Sequence, residues 1–238
     1  MKEVRQLLTG LIFHRKRIGG TMFNILKFQS MLKYLHYFWT GLGLTMKLSV
    51  VTVILGSLFG MLIGTMRMSK LKPISAVASG YINFIRGTPM LVQIYLVYYG
   101  IPLGLNNFWS GVVAMTIHSS AYIAEIFRSG VQSVDKGQME AARSVGMTKL
   151  QGMMLVVIPQ AIKNILPALC SQFVVIIKNT SLVSVIGMQE LMYQTDTVRS
   201  ITYLAFEPLI IAAVLYFVIG YVINILVGVL ERRMKASD

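Results

Sequence analysis

The sequence predicts an all-α, polytopic membrane protein with about five transmembrane helices and a short cytoplasmic helix between spans three and four. Three observations predict it. The 238-residue chain is 55% hydrophobic, and only 13% of its residues are charged, where a soluble domain is nearer a quarter charged. Its mean hydropathy is +0.66. Residues 48–66, 87–124 and 208–230 hold no charged side chain. Each run is long enough to cross a bilayer as a helix, which needs about 20 residues.

The elements follow in order. Residues 1–38 form a basic N-terminal tail, with an amphipathic surface helix or a later start at Met22 or Met31 as its readings. Its stretch 7–13 is too short to span and lacks a signal peptide's sustained apolar core and cleavage site. Span one is expected over about 39–66 and span two over 74–100. Span three covers 108–127, span four 155–177 and span five 206–230. Pro73 follows a basic loop, residues 101–107 read IPLGLNN, and Pro208 falls in the first turn of span five, where proline is tolerated. The domain itself runs over 39–235.

Loop charge orients the chain. Segments 67–72, 128–153 and 231–238 hold ten Lys and Arg, whereas the opposite loops after span one hold only Lys178 and Arg199. That asymmetry places the C-terminus in the cytoplasm. The basic tail runs against it. The net charge of +13 therefore reads as loop charge, and nucleic acid is excluded as a partner. Cys170 reads as a small buried residue, and the scattered histidines form no metal set.

The stretch GQMEAARSVGMTKLQGMMLVVIP, residues 137–159, begins in the largest cytoplasmic loop and turns into span four. Gly137 and Gly146 bracket about two helical turns. Glu140 suits the positive end of the helix dipole and Arg143 the negative end. Ala141 and Ala142 leave a smooth surface for another protein, and Gly146 takes the left-handed stop. The alternative is an ordinary loop helix with no partner.

Polar side chains at bilayer depth face the protein interior or a wet cavity. Ser119, Ser120, Tyr122, Ser171 and Gln172 are the candidates for a solute path. Gln172 reads equally as a helix-helix hydrogen-bonding group. Glu125 and Arg128 share a helix face and form a structural pair. His118 reads as an internal hydrogen-bonding group, and Arg86 as structural. Glu190 and Asp196, in segment 178–205, read as solvated acids. Pro159 and Pro167 favour a bent span four. Gly56, Gly60 and Gly64 make a ladder for close packing, within the chain or across a dimer.

The loop resembles the signature loop of ATP-binding-cassette importer permeases: Glu140-Ala141-Ala142, then Gly146, then Val156-x-Ile158-Pro159. Val156 and Ile158 depart conservatively from that pattern. IRGTPMLVQIYLVYYG (85–100), SSAYIAEIFRSGVQSVDKGQ (119–138), IPQAIKNILPAL (158–169) and IKNTSLVSVIG (177–187) resemble the polar-amino-acid branch, the histidine, glutamine and arginine type. The resemblance covers about 38–235. It implies a type I importer fold and a permease in the bacterial cytoplasmic membrane. It also implies two paired permeases, homodimeric or heterodimeric, and an extracytoplasmic solute-binding protein. ATPase subunits would dock the loop helix through Glu140, Ala141, Ala142 and Gly146.

The chain carries no G-x-x-x-x-G-K-[ST] phosphate loop. ATP and magnesium are accordingly expected in the partner, with no cofactor and no catalysis here. An intramembrane amide without an acid cluster favours a glutamine-like substrate over a cationic one. The rival reading is a secondary amino-acid transporter, which would show paired repeats and ion-coupling acids.

Overall fold

The computed structural model describes residues 25–100 and 104–235, and all regular structure among them is helical. Helix α1 (Ile25–Met31) passes through a 3-10 turn (Leu32–Tyr34) into α2 (Leu35–Arg67). Then come α3 (Lys72–Gly87), α4 (Met90–Gly100) and α5 (Asn107–Gln132). On the loop side lie α6 (Lys136–Ser144) and α7 (Lys149–Gly152), followed by a π turn (Met153–Val157). Helix α8 (Ile158–Asn179), a 3-10 stretch (Thr180–Ile186), α9 (Leu191–Thr202) and α10 (Glu207–Lys235) complete the chain. The expectations for residues 7–13 and for Met22 lie outside the described residues.

Among the described residues, three helical stretches are long and apolar enough to cross a membrane: Phe28–Arg67, Lys149–Ile186 and Glu207–Val229. The first two contain expected spans one and four, and the third covers span five to within one residue at each end. Helix α5 contains span three; its 26 residues make about 39 Å at 1.5 Å per residue. Span two is not one helix. It is α3 followed by the short α4, broken at Thr88 and Pro89. Pro89 disfavours helical geometry in the residue before it, and Thr88 is extended at φ −112° and ψ 145°.

The buried stripe of α2 is made of Gly41, Thr45, Ser49, Thr52, Gly56, Gly60 and Gly64, with Leu48. Its large side chains, Ile54, Leu58 and Leu62, point outward. This inverts the pattern of a water-soluble helix. In lipid, helices associate through close contact at small residues, because the surroundings are as apolar as the core. The glycine ladder packs within the chain. A Cβ on Gly56 would meet Ser119, one on Gly60 would meet Ile123, and one on Gly64 would meet Ala124 and Phe127. The rising register on both helices makes α2 and α5 parallel. The chain between them therefore has to cross back, and α3 with α4 does so.

Helix α5 is the axis of the bundle, buried on nearly every side. One core joins Leu48, Ile94, Met115, Ile176 and Val183. A second joins Met31 and Phe38 to Leu191 and Val198, fastening the start of the described chain to α9. A third, of Val131, Val157, Ala161 and Ile165, seats the loop helices under α5 and α8. Helix α8 continues through Pro167, and Pro159 occupies its first turn. Cys170 on α8 is half-buried rather than buried.

Candidate functional site

Helix α5 carries a column of polar groups, and its neighbours answer each in turn. Ser119 is buried against Gly56. The Ser120 hydroxyl donates to the Ile117 carbonyl at 2.9 Å and shares a 2.8 Å hydrogen bond with the Tyr81 hydroxyl. Tyr81 also donates to Ile117 O at 2.9 Å. The ring of Tyr122 lies 4.9 Å from that of His118 and, on α3's side, 5.4 Å from the Arg86 guanidinium.

At the break between α3 and α4, Gln93 acts as a clamp. Its amide nitrogen donates to Ile85 O at 2.7 Å, to Thr88 O at 3.1 Å and to Thr88 Oγ1 at 2.7 Å. Its Oε1 lies 2.9 Å from His118 Nδ1. The broken helix leaves carbonyls that lipid cannot satisfy, and a buried amide supplies the missing donor. Gln93 was not singled out from the sequence. The signal was there, an uncharged amide within the run 87–124, the same signal that singled out Gln172.

Below this, Glu125 is shared. Arg128 Nη2 stands 3.0 Å from Glu125 Oε2. Arg67, from the end of α2, hydrogen-bonds Oε1. Arg86 Nη1 stands farther off, 3.8 Å from Oε2. The pair read from the sequence is thus one edge of a cluster with three guanidiniums and one carboxylate. The α2 and α3 partners are far away in sequence, which hid them.

Ser171 and Gln172 sit on α8, Ser171 exposed and Gln172 half-buried. Among the described residues no hydrogen bond joins them to Ser119, Ser120 or Tyr122.

The loop helix α6 starts one residue earlier than Gly137. Asp135 caps it, its carboxylate accepting from Gly137 N at 2.7 Å. Glu140 consequently lies mid-helix rather than at the N-terminus. Glu140 and Ala141 face outward, but Ala142 is buried. Gly152 packs beside Ala142, where a Cβ would come within 3.3 Å of the alanine's own. So the small side chain serves the loop's internal packing. Gly146 ends the helix at φ +86°, a left-handed conformation that favours glycine. Thr148 and Gln151 then form a capping box that starts α7. Val145 and Leu150 project from this unit, 75% and 72% exposed.

Glu190 corrects the sequence reading. It is fully buried. Its two oxygens accept from the amides of Met192 at 2.9 Å and Tyr193 at 2.8 Å, capping α9, and Oε2 also accepts from the Tyr216 hydroxyl at 3.0 Å. Helix α9 folds back onto α2, where Gly41 admits the backbone of Leu191, and this closes the site to water. Asp196 is half-exposed and pairs with Arg199 at 2.6 Å.

Among the described residues no cluster of His, Cys, Asp or Glu is arranged to hold a metal. Residues 56–236 match the family described as binding-protein-dependent transport system inner membrane component. The probable glutamine ABC transporter permease protein GlnM of Bacillus subtilis (strain 168) is 41% identical over 196 residues, 81% of this chain and 91% of that protein. The arginine transport system permease protein ArtQ of the same strain is 35% identical over 217 residues, 90% of this chain and 99% of that protein. A crystal structure of an amino acid ABC transporter with histidines superposes with a TM-score of 0.83 at 51% identity, covering 87% of this chain and 98% of its own. The MetNI methionine ABC transporter in an inward-facing conformation shares the fold, with a TM-score of 0.72 at 18% identity.

Proposed function

Because this chain belongs to the family of binding-protein-dependent transport system inner membrane components, we propose that it is the permease subunit of an ATP-driven amino-acid importer. The observation that carries the reading is the loop helix α6. It is closed by left-handed Gly146, shows Glu140 and Ala141 outward, and sits on the third core beneath α5 and α8. That is an exposed element set between two spans, following α5 after a short turn and leading to α8 through α7 and the π turn. A partner ATPase that moves α6 moves the bundle.

On this reading ATP and magnesium reside in the ATPase subunits, and this chain translocates without catalysing a reaction. Two permeases pair, an extracytoplasmic binding protein delivers the solute, and the path alternates between outward and inward access. The site lies in the bacterial cytoplasmic membrane, with the C-terminus of α10 and the loop helix on the cytoplasmic face, in keeping with the charge of the loops. The substrate is a polar amino acid, glutamine-like in preference to cationic. The similarity to the glutamine permease GlnM supports it, and so does the cluster around Glu125, where arginines occupy the carboxylate. Tyr122 on α5, with Ser171 and Gln172 on α8, lines the proposed path, and Ser119 and Ser120, buried against Gly56 and Tyr81, stand behind it.

The test is affinity purification of the tagged protein in mild detergent with mass spectrometry of its partners. An ATPase at one copy per permease is the expected result, and a second permease in the complex identifies a heterodimer. Absence of any ATPase under conditions that preserve related complexes would overturn the reading.

A further inference from the structure

Resting on the amino-acid importer reading, we infer that Arg86 receives the α-carboxylate of the transported amino acid. Its depth is the first argument. Gln93 joins Ile85 O at 2.7 Å to His118 Nδ1 at 2.9 Å, so the backbone beside Arg86 lies level with the middle of α5. Side chains on a helix lean toward its N-terminus. Arg86 follows that rule and reaches down to Tyr122 and Glu125. The side chain is nevertheless 44% exposed in the single chain. A guanidinium at that depth does not face hydrocarbon; it faces a wet cavity or protein.

Its commitments are the second argument. Glu125 accepts its hydrogen bonds from Arg67 and Arg128. Arg86 makes none to it, and stops at 3.8 Å. The cluster therefore keeps an excess of positive charge, concentrated on the arginine with the weakest hold on the acid. Tyr122 supports the guanidinium through its ring face, 5.4 Å from centre to centroid. A cation seated on a ring keeps its in-plane N–H groups free. That edge matches a carboxylate with two parallel hydrogen bonds.

The chemistry of the cargo is the third. An α-carboxylate is common to every amino acid, so its receptor has to be one cation that ignores the side chain. Arg86 recognises the shared part, and other path residues read the difference. Glu125, close but not bonded, weakens the attraction and lets the carboxylate leave.

The experiment compares equilibrium binding of glutamine and glutaminamide by the purified permease–ATPase complex. The wild type is expected to favour glutamine by about ten- to hundredfold, the worth of a charge-assisted hydrogen-bonded pair. Arg86→Gln is expected to bind glutamine more weakly and to lose that preference, while keeping the ATPase and the thermal midpoint of the complex. Arg86→Lys keeps the charge but not the fork and is expected to fall between; it also serves if Arg86→Gln does not assemble. A preference for the free acid that survives in Arg86→Gln overturns the inference. So does a wild type that binds both equally or neither. If Arg86→Gln loses only co-purifying anionic lipid with its ligand preference intact, the partner is a headgroup and the inference also fails. Failure of the importer reading shows separately, as a permease that retains no ATPase.

Discussion

Gly60 of α2 lies so close beneath Ile123 of α5 that a Cβ added to it would stand 2.7 Å from Ile123 Cγ2 and 3.0 Å from Ser120 O. The contact is one rung of the parallel α2 and α5 packing, and no flexible side chain is there to yield. Gly60→Leu is expected to destabilise the protein by at least about 1–3 kcal/mol, the usual cost of overpacking. Gly43 on the same helix has nothing within 4 Å, so Gly43→Leu is expected to be neutral. Thermal unfolding in detergent compares the two. Equal midpoints would place the contact outside the stabilising core.

Gln93→Leu preserves bulk while removing every hydrogen bond that the Gln93 side chain makes at the break between α3 and α4. Ile85 O, Thr88 and His118 Nδ1 would lose their shared partner. Each buried polar group left unpaired costs about 1–3 kcal/mol. The expected result is a lower thermal midpoint than Gln172→Leu produces, since no comparable set of partners surrounds Gln172. A wild-type midpoint for Gln93→Leu would show that water takes over the clamp.

Glu140→Lys reverses an outward charge on α6 without touching the core. Gly146→Asp demands a left-handed backbone at φ +86° from a residue with a Cβ, a strain of about 1–2 kcal/mol. Both variants are expected to insert normally, and their complexes with the ATPase to hydrolyse ATP without driving uptake. Paired uptake and ATPase assays in proteoliposomes measure this. Normal uptake at normal protein levels would remove the docking role from α6.

Tyr216→Phe deletes the hydroxyl that donates to Glu190, and Glu190→Ala deletes the cap of α9 together with that partner. The first is expected to cost about 1–2 kcal/mol and the second about 2–4 kcal/mol. In the double variant the two losses should not add, because they share one interaction. Additive losses in a thermal-unfolding cycle would mean that the two groups act independently.

What the sequence reveals here depends on how far each partner lies along the chain. Helix α5, α10 and the ladder of Gly56, Gly60 and Gly64 are legible because charge-free runs and four-residue spacing are local signals. So is Gly146, whose place after two helical turns announces a left-handed stop. The break in span two is also signalled locally, by Pro89, yet the length of the apolar run concealed it. Glu190 was illegible for a different reason. Glutamate is not a favoured helix cap, and the groups that enclose it come from far along the chain, Gly41 on α2 and Tyr216, 26 residues away. Likewise Glu125 and Arg128 are neighbours on one turn, whereas Arg67 joins them from 58 residues upstream. The burial of Ala142 depends on Gly152 across a turn, so an exposed alanine and a buried one read alike.

The π turn Met153–Val157 stands between the loop unit and α8, and it has a mechanical meaning. Such a turn accommodates one residue more than an α-helix does. In α-helical geometry each residue carries about 100° of rotation. If the surplus residue were absorbed, everything on the loop side would swing by roughly a quarter turn about the axis of α8, and Val145 and Leu150 would sweep with it. The spans would need no change in their own hydrogen bonding. If the proposed ATPase pushes on the loop, the junction can answer with twist before it answers with displacement.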